Sequence, residues 1–294
     1  MLNLNFFLLI SLIGIFFNYL IFKYSYQIVK KPKIQIQNIH MGKVSRLGGL
    51  VIFTIFFLFN FFYIEDLKFF CLISFIPLLP AIIEDFNFNI SPYIRLFCIL
   101  VGSFIIVNSI EQLPKFEFLL SSFFNNYIFQ LFFYTIALSA VTNGHNIIDG
   151  TNGLSGLTSL SIFCSILYIG LFLNDTLLIN SSIFIISLLI SFLIFNYPYG
   201  KIFLGDCGSY FLGFYAGYLI IYLFGKYPEL PTWSAVVILY YPCMEVIFSY
   251  FRKIISKKSP FKPDNLHLHL KIYYLLSHKR KTSKLFNSLV APFL

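Results

Sequence analysis

The chain has 294 residues, of which 58% are hydrophobic and only 11% are charged, and its mean hydropathy is +0.81. A soluble domain carries roughly 25% charged residues because its surface faces water. The five cysteines are scattered singly, without the spacing of a disulfide framework or a thiolate metal site. This composition excludes a soluble enzyme, a nucleic-acid-binding protein, a disordered tail and a disulfide scaffold, and it predicts a membrane protein.

Nine apolar segments predict membrane-spanning helices, since one helix needs about 20 apolar residues to cross a bilayer. They lie at 3–22, 47–64, 69–83, 94–110, 127–142, 154–173, 176–195, 208–224 and 233–250. The apolar tail Leu285–Leu294 is too short to cross, so it either packs at the interface or belongs to an incomplete tenth helix. We therefore expect a single all-α domain over residues 1–294, a bundle of nine or ten transmembrane helices.

The basic residues predict the orientation of this bundle. Alternate linkers, together with the residues next to them and the C-terminal region, hold 18 of the 21 Lys and Arg residues. Basic residues are retained on the cytoplasmic side of a membrane. The sequence therefore predicts an N-terminus outside and five cytoplasmic linkers.

Acidic residues on the predicted cytoplasmic side all begin or end a helix next to Gly, Asn or Pro. They are Glu84, Asp85, Asp149, Asp206 and Asp264. Carboxylates in short loops at one membrane surface can converge on a cation, and such hard oxygen ligands suit Mg²⁺ or Mn²⁺. Taken singly, Asp149 or Asp206 is as well explained as a helix N-cap.

The same predicted face carries amides, glycines, a lysine and two histidines. Asn143–Gly153 is rich in Asn and Gly, and Asn196–Ser209 adds Lys201 and Phe203. His267 and His269 stand two residues apart, a spacing that puts both imidazoles on one side of an extended segment. Together these groups indicate a site for a phosphorylated ligand. Glu245 lies alone within a predicted span, as a helix-pairing or functional residue.

These loops form a known set of motifs. They are His40 to Gly49, Glu84-Asp85 followed by Ser91-Pro92 and Arg95, Asn143-x-x-Asn146-x-x-Asp149-Gly-x-x-Gly153, Asn196-x-Pro198-x-x-Lys201-x-Phe203-x-Gly205-Asp206-x-Gly208-Ser209, and Pro263-Asp264-x-x-His267-x-His269. In them the chain resembles the polyprenyl-phosphate N-acetylhexosamine-1-phosphate transferases, the family of the MraY- and WecA-like enzymes. The resemblance covers residues 40 to 269.

The chain departs from the family pattern at several positions. Glu84 stands where the first Asp of a pair is usual, Asn152 replaces a second Asp, and Leu270 replaces a third His. These features resemble the branch that initiates O-antigen or capsule-type glycans (lipopolysaccharide or cell-wall biogenesis) more than the peptidoglycan-precursor phospho-MurNAc-pentapeptide transferases, which remain an alternative.

The resemblance implies an activity and a role for each motif residue. Members transfer a sugar-1-phosphate from a UDP-sugar to a polyprenyl phosphate and release UMP, with Mg²⁺ or Mn²⁺ as cofactor. It implies Asp206 and Asp149 as metal ligands, and Glu84, Asp85 and Asp149 as catalytic residues. Substrate contacts are expected from Arg46, Asn143, Asn146, Asn152, Lys201, Phe203, His267 and His269. Membrane lipids are expected as further partners, and nucleic acid is not expected to bind. The sequence does not decide whether the protein forms a homodimer.

Two rival interpretations remain open from the sequence. A secondary transporter or flippase would place ionisable residues at mid-membrane on broken, repeated helices. Glu245 is the one carboxylate that the predicted spans contain, and no internal repeat is visible. An inactive member of the family is the other alternative, because several motif residues are altered.

Overall fold

The structure, a computed structural model, describes residues 4–28, 44–116, 124–257, 266–277 and 285–294. Within these ranges the protein is helical, and its one pairing of extended backbone is an isolated parallel bridge between Ser45 and Ile202. His40 and Asp264, which the sequence analysis singled out, lie outside the described residues.

The described helices follow one another along the chain in this order. They are α1 (Leu4–Ile28), α2 (Gly48–Tyr63), α3 (Glu65–Asp85), α4 (Pro92–Ser109), α5 (Tyr127–Ile148), α6 (Leu154–Leu173), α7 (Thr176–Asn196), α8 (Gly205–Lys226), α9 (Ser234–Ile238), α10 (Tyr240–Ile255), α11 (Leu268–Ser277) and α12 (Leu285–Ser288). A 3₁₀ turn over Ala291–Phe293 ends the chain.

Six of these helices are long and apolar enough to cross a membrane by length and composition, namely α1, α3, α4, α6, α7 and α8. The shorter α2 is also apolar, with 16 residues. The prediction of an all-α, multi-pass membrane bundle is therefore confirmed.

The predicted ninth span, 233–250, was wrong as one continuous helix. It consists of α9 and α10, which are separated at Leu239. Pro242 gives the physical reason, because a proline inside a helix removes a backbone hydrogen bond and clashes with the preceding turn. Since α10 begins at Tyr240, Pro242 falls in its first turn, where no helical hydrogen bond is lost.

The core of the bundle is built around α8. Almost all of its side chains are buried, and it packs against α2, α3, α5 and α6. Phe211 and Tyr215 on α8 contact the ring of Phe56 on α2. Nearer the start of α8, Gly208 lies so close to Gly49 of α2 that a Cβ on either residue would overlap the other backbone. Two glycines therefore allow α2 and α8 to meet backbone to backbone.

The helix ends differ from the predicted loop boundaries in one consistent way. Glu84 and Asp85 form the last turn of α3, Asn143 and Asn146 lie within α5, and Asp206 lies in the first turn of α8. The helices continue past their apolar segments because their polar ends pack on one another. The prediction that these carboxylates begin or end a helix is confirmed, whereas the predicted linker boundaries and the N-cap interpretation of Asp149 and Asp206 were wrong. Asp149 follows the C-terminus of α5.

The C-terminal segment packs back on the bundle. The side-chain Oδ1 of Asn287 accepts a hydrogen bond from the backbone N–H of Asn152 at 3.1 Å, and Val290 is fully buried. This tail therefore contacts the loop between α5 and α6.

Candidate active site

The site begins with a short backbone pairing that joins two distant parts of the chain. Phe203 N–H donates to the carbonyl of Ser45 at 2.8 Å, and Gly48 and Gly49 N–H donate to the carbonyls of Phe203 and Leu204 at 3.0 and 2.8 Å. The segment before α2 is thus held alongside the segment before α8. This pairing places Arg46 next to the start of α8.

Gly205 makes the turn into α8 possible. Its φ is +79°, in the left-handed region, and a Cβ there would collide with the Arg46 carbonyl and the Asp85 carboxylate. Only glycine meets both the conformational and the steric requirement at this position.

Asp85 anchors the N-terminus of α8 from the end of α3. Its two carboxylate oxygens accept the backbone N–H groups of Asp206 and Cys207, at 2.9 and 2.8 Å. The side chain is 1% exposed. The first N–H groups of a helix have no partner inside the helix, and the helix dipole favours a negative charge beside them. Asp85 is therefore the capping group of α8, supplied by another helix.

Asp206 is the meeting point of the polar side chains. Its Oδ1 accepts hydrogen bonds from Arg46 Nη2 at 2.7 Å and from Asn146 Nδ2 at 3.0 Å. The Asn146 amide also donates to Ser209 Oγ at 3.1 Å. Arg95 Nη1 lies 3.9 Å from Asp206 Oδ2. Side chains from the segment before α2 and from α4 and α5 thus converge on one carboxylate of α8.

Glu84 and Arg95 form a second ion pair at the edge of this cluster. Arg95 Nη1 donates to Glu84 Oε2 at 2.5 Å, and both side chains are largely buried. Arg95 belongs to the first turn of α4, so the pair also ties α3 to α4.

Asp149 completes the cluster at the end of α5. Burial raises the pKa of Asp149 well above its ordinary value, and the carboxylates of Asp206 and Asp85 act in the same direction, while Arg46 opposes them. The pKa of Arg46 is raised in turn, chiefly by Asp206, although burial opposes this.

The cluster contains more acidic than basic side chains. Its four carboxylates, Glu84, Asp85, Asp149 and Asp206, face only two guanidinium groups, Arg46 and Arg95. When all six groups are ionised, the two guanidinium charges leave two carboxylate charges uncompensated. Carboxylate oxygens are hard donors, which Mg²⁺ prefers. In the described part of the chain, no three His, Cys, Asp or Glu side chains form a complete metal site by themselves. A Mg²⁺ site that substrate phosphates complete needs only one or two carboxylates.

Four predicted substrate-binding residues make their described contacts outside the cluster of carboxylates and arginines. Asn143 Nδ2 donates to the Ser139 carbonyl in its own helix, and Asn152 Nδ2 donates to the Pro198 carbonyl. Lys201 Nζ lies 5.8 Å from the ring centre of Phe22 and 6.0 Å from that of Tyr199. The fourth residue, Phe203, contributes its backbone to the pairing described above, and it is half-buried.

The two histidines lie on the same face, but not in an extended segment. His267 precedes α11 and His269 lies in its first turn, with their rings parallel at 5.6 Å between centres. His267 Nδ1 lies 3.1 Å from Glu245 Oε2. The ring of His269 packs so closely on Gly150 that a Cβ there would overlap its Nε2. The histidine segment is thus docked beside Asp149.

Three residues that the sequence analysis did not assign to catalysis, substrate binding or the metal also lie in this region of the structure. Arg95 was visible as part of the Ser-Pro-x-x-Arg motif, and Glu245 was visible as an isolated acidic residue in an apolar segment. Ser209, which accepts from Asn146, had no signal of its own apart from its place after Gly208.

Comparison with known proteins gives this cluster a context. The sequence model of glycosyl transferase family 4 matches residues 67–224, more than half of the chain. The chain belongs to glycosyl transferase family 4. The matched range contains all four clustered carboxylates and Arg95, while Arg46 and the histidine segment lie outside it.

Several relatives in this family carry related names. A probable undecaprenyl-phosphate N-acetylglucosaminyl 1-phosphate transferase of Bacillus subtilis is 33% identical over 143 residues, 47% of this chain and 39% of that protein. The Thermotoga maritima undecaprenyl-phosphate alpha-N-acetylglucosaminyl 1-phosphate transferase is 33% identical over 137 residues, 47% of this chain and 41% of that protein. A Salmonella typhi relative of the latter name is 26% identical over 259 residues, 82% of this chain and 68% of that protein. The alignments with the first two cover about two fifths of each relative's length.

Proposed function

We propose that this family 4 protein transfers an N-acetylhexosamine-1-phosphate from a UDP-sugar to a polyprenyl phosphate and releases UMP. The observation that carries the proposal is the cluster of four carboxylates and two arginines at one end of a bundle of membrane helices. A lipid acceptor is reached from such a helix end, and a soluble anionic donor is bound by guanidinium groups, which match phosphate geometry. The names of the relatives support the same activity.

The chemistry requires little covalent help from the protein. An oxygen of the acceptor phosphate bonds to the phosphorus that carries the sugar, and the bond from that phosphorus to the bridging oxygen of UMP breaks. An acceptor phosphate that is already ionised near pH 7 needs no strong general base. Phosphoryl transfer depends mainly on positioning and on neutralising charge, which is what ordered arginines and carboxylates supply.

Magnesium fits the donor set of the cluster. Asp206 and Asp149 would hold the ion, with phosphate oxygens completing its shell, and a cation there would favour the ionised form of Asp149, whose pKa burial raises. The ion supplies charge neutralisation on the pyrophosphate. Arg46 and Asn146 would keep the Asp206 carboxylate oriented, since both donate to its Oδ1.

Asp85 and Glu84 would act by position in this proposal. The Asp85 oxygens accept two backbone N–H groups, so Asp85 keeps the first turn of α8, and with it Asp206, in register with Arg46. Glu84 holds Arg95 within 3.9 Å of Asp206, where the guanidinium can move to a phosphate.

The remaining predicted contacts belong to the same proposal. Contact of His267 and His269 with the nucleotide or the sugar stays a prediction from the family motifs, since both side chains are buried in the structure. Direct substrate contact by Asn143, Asn152, Lys201 and Phe203 stays a prediction from the family motifs.

The donor and the orientation are also parts of the proposal. The relatives are named for N-acetylglucosamine, so UDP-N-acetylglucosamine is the first donor to test. The initiation of an O-antigen or capsule-type glycan, in the inner membrane of a bacterium, is the proposed pathway step. The distribution of 18 of 21 basic residues supports a site that faces the cytoplasm.

The test is UMP release by the purified protein in detergent with undecaprenyl phosphate, Mg²⁺ and one UDP-N-acetylhexosamine at a time. We expect release with one of them and its loss on chelation of Mg²⁺. Asp206→Asn and Asp149→Asn should each lower the rate about 100-fold or more, a loss typical of removing a charge-stabilising group. Glu229→Gln, an exposed change at the opposite end of the bundle, is the control. Full activity of both Asn variants would overturn the metal assignment.

A further inference from the structure

Glu245 is a buried carboxylate that the proposed reaction does not yet use. It lies on α10, is 5% exposed, and is separated by more than 20 residues from the histidine segment that it contacts. Removing a charged group from water is unfavourable, so a buried carboxylate needs several partners that compensate the lost hydration. Its partners identify its role.

Each oxygen of Glu245 has a defined partner. Oε2 lies 3.1 Å from His267 Nδ1, and Oε1 accepts the backbone N–H of Leu268 at 2.9 Å and the hydroxyl of Tyr241 at 3.3 Å. His269 Nδ1 lies 3.8 Å from Oε1. One carboxylate therefore contacts the backbone at the start of α11 and faces the Nδ1 side of both imidazole rings.

This geometry determines which nitrogen of His267 carries a proton. An ionised carboxylate only accepts hydrogen bonds, so the Nδ1 that faces it must be the donor. The neutral ring then has its lone pair on Nε2, on the opposite side. The parallel rings of His267 and His269 share this orientation, with Nδ1 toward Glu245 in each.

The contact between His269 and Gly150 joins the histidines to the acidic cluster. The Nε2 edge of His269 packs on Gly150, the residue directly after Asp149, and no side chain fits between them. Glu245 on one side and Gly150 on the other thus hold the His269 ring, which is 1% exposed.

We propose that Glu245 is a positioning residue, which keeps the proton of His267 on Nδ1 and seats the histidine segment against the Asp149–Gly150 loop. This inference rests on the proposed function only for its effect on turnover. The seating of the rings and the location of the proton are properties of the protein without substrate.

The first measurement is the ¹⁵N spectrum of histidine-labelled protein in detergent, without substrate. The chain has five histidines, and His267→Ala identifies the signals of His267. In the neutral form of the ring we expect a protonated Nδ1 and an unprotonated Nε2 in the wild type. Glu245→Gln should reverse this pattern because its amide can donate to Nδ1, whereas Glu245→Asp should retain it. Glu229→Gln, the same chemical change at an exposed position, should leave it unaltered. An unprotonated His267 Nδ1 in the wild type would overturn the proposal.

The second measurement is UMP release by the same proteins. Glu245→Gln should lower turnover about 10- to 100-fold, the range for groups that orient a functional imidazole, and Glu245→Asp should recover most of it. In a His267→Ala/His269→Ala background, Glu245→Gln should cost less than about threefold, because residues that act through one another are not additive. An equal loss in both backgrounds would assign Glu245 a merely structural role and refute the proposal.

A further variant separates the contact between His269 and Gly150 from the contact between His267 and Glu245. Gly150→Ala should displace His269 and lower turnover, while His267 keeps its proton on Nδ1, and wild-type turnover of this variant would contradict the seating. If the wild type releases no UMP from any UDP-N-acetylhexosamine, the proposed function fails. The ¹⁵N result still decides whether Glu245 positions the histidines.

Discussion

Replacing Asp85 with Asn tests whether this residue is an anchor of the fold as well as part of the site. Asn keeps one acceptor oxygen but turns an amide N–H₂ toward the second backbone N–H. One of the two hydrogen bonds, at 2.9 and 2.8 Å to Asp206 and Cys207, is therefore lost, and the other becomes neutral. We expect Asp85→Asn to destabilise the protein.

The magnitude follows from these contacts. A buried backbone N–H that is left without its partner costs about 1–3 kcal/mol, and more when the partner carried a charge. The side chain is 1% exposed, so water cannot replace the lost partner. The expected loss is about 2–4 kcal/mol, on the order of 5–10 °C in apparent Tm.

The assay is thermal unfolding in detergent at one scan rate, because membrane proteins unfold irreversibly and their Tm depends on the rate. Asp66→Asn is the matched control, since Asp66 is an exposed carboxylate in the first turn of the same helix, and it should shift Tm by less than about 2–3 °C. An unchanged Tm for Asp85→Asn would refute the capping role. Loss of UMP release at an unchanged Tm would identify Asp85 as a purely chemical residue.

Two further predictions concern residues outside the acidic cluster. Burial alone would raise the pKa of Asp175, but hydrogen bonds from Lys226, the Leu178 N–H and Tyr227 hold this pKa below its ordinary value. The ionised Asp175 therefore stabilises the protein above about pH 4, and this stabilisation disappears as the pH falls through the lowered pKa. Asp175→Asn should therefore lower Tm at pH 7 but converge with the wild type in acid, and a pH-independent difference would contradict this reasoning. Asn152→Asp restores the family's usual residue, yet it removes the donor to the Pro198 carbonyl at 3.0 Å in a buried site. We expect it to cost about 1–3 kcal/mol in thermal unfolding without a gain in UMP release, and a more active variant would show that Asn152 faces the substrate.

The sequence alone was sufficient for the class of fold and the family. Length, low charge and nine apolar segments predicted an all-α membrane bundle, since burial in lipid requires apolar helices of fixed length. The motifs around Asp149 and Asp206 predicted the family, and the four described acidic residues of the predicted set do lie together. The single-domain boundary, the orientation in the membrane and the metal remain predictions.

Only the tertiary structure decided what each polar side chain contacts. Asp85 could not be recognised as the cap of α8 from the sequence, because its partners are 121 and 122 positions away. Glu245 is likewise 22 residues from His267, and its role depends on how α10 packs beside α5. Hydrophobic periodicity and motif spacing are local properties of a chain, whereas hydrogen bonds between helix ends depend on which helices become neighbours.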